Sequence, residues 1–505
     1  MRLRLEAPLI IFLSAWALGL GWAGWAAGFL AAHNDYWGNV FIAQQMDLAT
    51  PASFHNGFFP LGYPLLLKLL LGSGSLDQAG FWVNHFASLV TLAAAYQLAR
   101  RLMPTRRSVL VLIFIALHPL CFFYFSTAGA DPGSMAFFLS GAVLAIDSAE
   151  SASWKTAAAA GVLLGLAALW RYHALIAGAL FLAAVAVAYR RGIPPVIAAG
   201  WMALAYSPQV AVNMSLGLSP LHTNHALAVY DMMYGVNWYR LADLQVPSSM
   251  SAVILSDPGL FFRHYAKGVF SLLIYALPAL LFTLQNRDPK TRAYGLAASL
   301  FLVGYAFAFG ISVGGRAPLL VLPLALIFLG GALSNHYDRL RILRSPAFPF
   351  WRGCAAAGLL LAVGYFAVKD WRAVHLRMKT DRTYRTVERF LKNAGIRNAK
   401  EAFTTDFDLY FRAIQPFRPL YNGGWGLVGT YRWKEEFPQA SMAGLEAFVS
   451  DGRLRKQRYV ILNPEASQAA PFLGSLYAHF TPEPGLLPVR RVGDLAIFAI
   501  TGETP

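Results

Sequence analysis

The chain has 505 residues, 57% hydrophobic, 14% aromatic and only 13% charged, with a mean hydropathy of +0.46 and a formal net charge of +16. An ordinary soluble domain carries about 25% charged residues, so this is the balance of a membrane protein, and it excludes disorder and fibrous repeats. The excess of Lys and Arg does not point to nucleic acid, because it falls in short clusters between apolar runs instead of on one surface.

Residues 8–32 follow Arg2 and Arg4 and are too long an apolar stretch for a signal peptide, so an uncleaved first span is expected. Further spans are expected over 80–99, 108–125, 132–146, 156–170, 172–189, 194–212, 268–284, 294–313, 317–333 and 353–368. That makes about eleven at the usual span length of roughly 20 residues. With the N-terminus in the cytoplasm, the loops on that side carry sixteen Lys and Arg, from Arg2 to Arg352. The opposite side, the tail aside, keeps only Lys68, Arg171, Arg240, Arg263, Lys267 and Arg316. The asymmetry favours this orientation, and an odd number of spans places the tail outside.

Two outer loops, 31–79 and 213–267, are long and mix polar with aromatic residues, as binding or catalytic loops do. The tail over 369–505 has soluble polarity and is net positive by six, which suits anionic headgroups or acidic glycans. Helix-like Tyr384–Asn393 and strand-like Tyr459–Asn463 and Leu495–Ile500 predict a small α/β domain there. The predicted fold is mainly α: a polytopic membrane helical bundle over 1–368 and a soluble extracytoplasmic α/β domain over 369–505. Cys121 and Cys354 lie in or beside apolar segments and argue for neither a disulfide framework nor a zinc site.

The first outer loop opens with His33-Asn34-Asp35-Tyr36-Trp37. A carboxylate at the mouth of a helix bundle is partly desolvated, which suits Asp35 to accept a proton from a hydroxyl, to hold a divalent cation, or simply to cap the next helix. The same loop continues Phe59-Pro60-Leu61-Gly62-Tyr63-Pro64, by itself a turn re-entering an apolar helix. Asp131, before Pro132, is either an N-terminal cap or a second acid facing Asp35, so that the two polarise one hydroxyl or share a metal ion. Arg171, in Arg171-Tyr172-His173, and Arg316 are cations on the face that cations avoid. They either snorkel to headgroups or grip a phosphate bidentately, and together they suggest an anionic lipid. His222 and His225 stand three apart, the spacing of one helix face; hydrogen bonding to substrate is preferred to zinc, since no third ligand is defined. Asp406-Phe407-Asp408 in the tail is a D-x-D of the kind that arises by chance.

In this order, the outer-loop acid after the first span, the Pro-Leu-Gly-Tyr-Pro turn, the second-loop Asp-Pro and the basic-aromatic Trp170-Arg171-Tyr172-His173-Ala174-Leu175 resemble the GT-C glycosyltransferases. The branch they resemble is the protein mannosyltransferase-like and lipid A aminoarabinose transferase-like group. The resemblance runs best from Asp35 to about Leu180, and more loosely through Arg316-Ala317-Pro318. It implies a transferase that moves a sugar from a polyprenyl-phosphate donor to an acceptor hydroxyl of a lipid, glycan or protein, with inversion. It also implies the outer face of a membrane, by this resemblance the periplasmic side of a bacterial inner membrane. Asp35 matches the family's base or acceptor-positioning acid and Asp131 its second acidic position, while Arg171, and more weakly Arg316, match donor-phosphate cations. His33, Tyr63, His173, His222 and His225 are then substrate-binding candidates. The sequence departs from the pattern at Asn34-Asp35, where several relatives carry two adjacent acids, so the divalent ion is an optional cofactor held, if at all, by Asp35 and Asp131.

The chemistry agrees with that implication. A phosphate leaving group departs readily once its charge is stabilised, so one base and a cationic clamp suffice, whereas a hydrolase needs a second, protonated carboxyl group. The rival readings are a membrane glycan ligase or polymerase, a lipid or sugar transporter of the flippase kind, and a non-catalytic scaffold. A transporter would carry charges deep within its spans, where only Asn84 and His85 are clear polar intrusions, a pair read as an interhelical hydrogen bond.

Overall fold

The computed structural model describes residues 6–29, 34–47, 49–50, 59–70, 76–223, 225–235, 249–311, 314–342, 348–396, 401–406, 409, 444–454 and 456–502. In chain order its helices are α1 (Ala7–Ala26), α2 (Asn34–Gln45), α3 (Gly62–Leu70), α4 (Leu76–Arg100), α5 (Thr105–Leu117), α6 (Pro119–Phe125), α7 (Asp131–Ser151), α8 (Trp154–Trp170) and α9 (His173–Tyr189). There follow α10 (Ile193–Ser215), α11 (His225–Tyr234), α12 (Met250–Ser256), α13 (Pro258–Leu273), α14 (Leu277–Gln285), α15 (Pro289–Phe309), α16 (Leu322–Ile342) and α17 (Phe348–Asn393). Each predicted span is helical over most of its length. Five stretches are long and apolar enough to cross a bilayer, namely Ala7–Ala26, Asp131–Ser151, Ile193–Ser215, Pro258–Gln285 and Pro289–Phe309. A sixth joins them if α5 and α6, bent by 70°, are taken together. The expected eleven are not reached on that criterion among the described residues; the mainly helical membrane bundle is.

The bend has a local cause. Pro119 lacks the amide that α5 would need and pushes His118 out of the helical region, to φ −61° and ψ 125°. The His118 ring then caps α6, its Nδ1 accepting from the Leu120 amide at 3.2 Å.

Charge sorts to the two ends of the bundle. At one end Glu6 meets Arg100 and Tyr96, Arg101 meets Asp147 and Glu150, and Arg107 meets Asp338 through both terminal nitrogens, at 2.7 and 2.8 Å. Thr105 completes the Glu6 cluster and holds that carboxylate below its usual range. The opposite end carries Asp131 at the start of α7 and Arg316 ahead of α16, with Asp35 of α2 and Arg171 between α8 and α9.

The tail is an α/β unit, as expected. β1 (Ala402–Thr404), β2 (Tyr459–Leu462), β3 (Leu486–Val492) and β4 (Leu495–Ile500) form a sheet of order β1-β2-β4-β3, with β1 parallel to β2 and the other pairs antiparallel. Short helices over Leu445–Leu454 and Pro471–His479 accompany it. The boundary expected at 368/369 falls inside α17, which runs unbroken from the apolar segment to Asn393. Among the described residues three apolar clusters form, the smallest being Val229, Met233, Val253 and Phe261 of α11 to α13; the two large ones matter here. One fills the bundle; the other joins Tyr36, Tyr63, Trp170 and Tyr172 to Tyr384, Val387 and Leu391 of α17 and to Val460, Ile461 and Phe498 of the sheet. Of the D-x-D, Asp406 accepts from the Tyr384 hydroxyl at 3.0 Å and the Leu409 amide at 2.8 Å, and Asp408 lies outside the described residues. Burial raises the Asp406 pKa against those bonds.

Candidate functional site

Four charged side chains that the sequence singled out meet at the outer end of the bundle. Asp131 opens α7 but does not cap it: Ala130 precedes the helix, and the Asp131 carboxylate turns to Arg171, whose Nη2 donates to Oδ2 at 2.5 Å. Arg171 is the residue at which α8 and α9 part, held extended at φ −149° and ψ 120°, so its side chain leaves the helix row. Its Nη1 reaches Asp35 Oδ2 at 3.5 Å, and Arg316 Nη1 donates to that same oxygen. Asp35 comes from the first turn of α2, with its own carbonyl accepting from Asn39 Nδ2 at 2.6 Å. Arg316 comes from the 3₁₀ segment Gly314–Leu320 before α16.

Exposure grades across this quartet, from 5% for the Asp131 side chain through 12% for Arg171 and 21% for Asp35 to 36% for Arg316. The inner pair is thus locked and the outer one meets solvent. Two carboxylates and two guanidiniums sum to zero, so the cluster is desolvated without net charge. Burial opposes the Arg316 cation, but Asp35, with Asp131 behind it, holds its pKa above the ordinary arginine value. Arg171 keeps its Nε enclosed with no partner, a donor that faces neither acid.

Tyr63 and Trp170 back the quartet. Their rings lie 5.0 Å apart, and the Tyr63 hydroxyl is enclosed beside the Gly129 backbone, within electrostatic reach of Arg171 and Asp131. Burial pushes that phenol well above its usual pKa. The Pro-punctuated turn is more than a re-entry: the Leu61 amide donates to Gln209 Oε1 at 2.8 Å and the Phe59 carbonyl accepts from the Tyr172 hydroxyl at 3.2 Å, so α9 and α10 fix it. Gly133, one turn into α7, lets the helix lie on the Trp170 ring; a Cβ there would come within 1.7 Å of it.

Next to this floor runs a groove of about 670 Å³ between α3, α4 and α7. Leu66, Trp82, Val83, Phe86, Phe137 and Trp170 are among its lining residues. Gly133 and Trp170 also line it, two residues along the chain from Asp131 and one from Arg171. Phe86 and Trp82, 68% and 46% exposed, open it sideways.

Of the other candidates, only those within the described residues can be placed. His33 lies outside the described residues, as does the side chain of His225. His222 belongs to a turn before α11, not to a helix with His225, because Ser219 to His222 closes a turn first; the expected shared helix face does not form. His173 starts α9 and its ring meets Phe309 at 6.1 Å. Among the described residues no three His, Cys, Asp or Glu side chains group as metal ligands. Sequence reasoning missed Tyr124, a buried residue of α6 that feels all four charges. Its position at the outer end of a predicted span was the one available signal. Asn84 makes a hydrogen bond, but to a loop and not between helices: its Nδ2 donates to the Thr127 carbonyl at 2.6 Å, tying α4 to the loop that leads to Asp131, while His85 Nδ1 is enclosed without a partner.

Comparison with known proteins bears on the family and the fold. The family described as dolichyl-phosphate-mannose-protein mannosyltransferase matches residues 60–211, which include the Pro-Leu-Gly-Tyr-Pro turn, Asp131 and Arg171. No curated protein matches the chain. Among solved structures, the Archaeoglobus fulgidus oligosaccharyltransferase, in complex with Zn and sulfate, has a TM-score of 0.56 at 15% identity over 93% of this chain and 71% of its own. ArnT from Cupriavidus metallidurans has a TM-score of 0.54 in its apo state at 13% identity, and 0.54 when bound to undecaprenyl phosphate at 15% identity. Each covers 97% of both chains. The resemblance to the GT-C glycosyltransferases is borne out by the matched segment and the shared fold.

Proposed function

We propose that this chain is an integral membrane glycosyltransferase that moves a sugar from a polyprenyl-phosphate donor to an acceptor hydroxyl on the extracytoplasmic face, with inversion. The observation that carries the reading is the neutral Asp35–Arg171–Asp131–Arg316 cluster together with an apolar groove lined by Gly133 and Trp170, near neighbours in the chain of Asp131 and Arg171. An apolar chain with a single anionic head is the ligand class that fits such a pair of features. The structure of ArnT with undecaprenyl phosphate adds support for the donor class, and the family match for the transferase.

In this reading the groove takes the first prenyl units and the donor phosphate enters between Arg171 and Arg316. The guanidiniums trade Asp35 for phosphate oxygens, and Asp131 keeps Arg171 in place. Asp35, released from its ion pairs, accepts the proton of the acceptor hydroxyl while that oxygen attacks the anomeric carbon. The bond between this carbon and the phosphate oxygen breaks, and the electron pair leaves with polyprenyl phosphate, stabilised by both arginines. The donor thereby switches on its own base. A cation bridging Asp35 and Asp131 does not fit, because the Arg171 guanidinium contacts both carboxylates, and no step here runs through one.

The test is transfer of radiolabelled sugar from a panel of polyprenyl-phosphate sugars in reconstituted membranes, comparing the intact protein with Asp35→Asn. Turnover should fall by about 10²–10⁴-fold while donor binding persists. Equal turnover removes Asp35 from the chemical step, and an intact protein that neither binds nor consumes any donor sinks the transferase reading in favour of transport.

A further inference from the structure

The helix that carries the tail domain also touches the segments leading to both acids. Arg377, in α17, donates from Nη1 to the Ser126 hydroxyl at 2.8 Å and the Ser126 carbonyl at 3.2 Å. Its guanidinium lies over the Phe123 ring at 5.0 Å. Ser126 begins the short loop that ends at Asp131, and the next residue of that loop is the one held by Asn84. One turn further along α17, buried Asp381 lies against Gly28, the left-handed residue (φ +66°) that ends α1 ahead of Asp35. A Cβ on Gly28 would meet that carboxylate within 2.0 Å.

This arrangement is a costly way to hold a helix. Arg377 Nη2 and Asp370 Oδ2 are both enclosed without a partner, and burial draws the Arg377 pKa down to about 10 despite Asp370. A half-buried cation that uses only part of its hydrogen-bonding capacity contributes little to stability compared with an apolar side chain of the same shape. What a methionine would lack is directed donation to Ser126.

We propose that Arg377 is a positioning residue: by clamping Ser126 it sets the Asp131 loop, and hence Arg171, from a helix that also bears the C-terminal domain. The inference rests on the transferase reading for its kinetic part only. Arg377→Lys keeps a charged donor, while Arg377→Met keeps the packing and loses the donor. In Arg377→Met, kcat should fall about 100-fold, the cost of an ångström-scale misplacement, with donor KM changed less than about threefold. Arg377→Lys should recover most of the loss.

A second readout needs no activity. Gly129, whose Cβ position has open space around it, takes a spin label as Gly129→Cys with Cys121 and Cys354 changed to Ser. Its spectrum should mobilise in the Met variant and not in the Lys variant. If both variants, normalised to folded protein by thermal unfolding, match the intact enzyme, the proposal is overturned. A mobilised label in a protein whose unsubstituted form transfers no sugar upholds the clamp and defeats the transferase reading; an unchanged label overturns the clamp.

Discussion

Each charged residue of the quartet was legible in the sequence because each stands where a charge is expensive: at the outer end of an apolar run, on the face that Lys and Arg avoid. Their partners were not legible, since Asp35 and Arg316 are 281 positions apart and only the folded bundle joins them. Asp131 shows the limit well. Asp-Pro at a helix start reads equally as a cap, and the choice was made by Arg171, 40 positions downstream. The two arginines differ in consequence. Arg171 is buried against Asp131, so its removal strands a carboxylate and destabilises the fold by about 3–5 kcal/mol as well as weakening the donor. Arg316 is half-solvated and loses only its grip. Arg316→Gln should therefore raise donor KM about 10–100-fold, the weight of one or two charge-assisted hydrogen bonds, with the unfolding temperature nearly unchanged. Steady-state kinetics beside a thermal melt would separate the two effects, and an unaltered KM would take Arg316 out of phosphate binding.

Among the elements, the apolar runs gave helix positions closely, and the tail strands β2 and β4 fell on the short, continuous apolar runs read as strand-like. β1 was missed because three residues, Ala402–Thr404, carry too little pattern, and β3 because Arg490 and Arg491 interrupt it. α17 was cut at Val368 because polarity changes there, although nothing in the backbone breaks: Lys369 onward contains neither Gly nor Pro until Gly395. Just past that change of polarity sits Asp370, whose carboxyl burial pushes up to about 7, with Arg377 pulling it back. In the unfolded chain it would titrate near the ordinary value of 3.8. The folded form binds this proton more tightly, so the contribution is fully present below about pH 4 and is lost as pH rises through about 7. Thermal unfolding of Asp370→Asn in detergent should thus lose part of the decline between pH 4 and pH 8 that the intact protein shows. Parallel curves for the two proteins would mean that the carboxyl is not the titrating group.

At the scale of the whole molecule, the loop charges are arranged by end, with ion pairs at one and the quartet at the other, as the clustering of Lys and Arg implied. The tail is not a separate body hung on the bundle, since its sheet shares one apolar core with Tyr36, Tyr63 and Trp170 around the site. Composition alone, which marked the tail as soluble, could not show that. The groove between α3, α4 and α7 has a further consequence. Because Phe86 and Trp82 are exposed on the bundle surface, a polyprenyl donor of the kind proposed would reach the groove by sliding within the leaflet and not from the water. Encounter is then a two-dimensional collision, and the quantity that saturates the enzyme is moles of donor per mole of lipid. Adding inert phospholipid to vesicles at constant total donor should slow turnover, whereas enlarging the aqueous volume around the same vesicles should leave it unchanged.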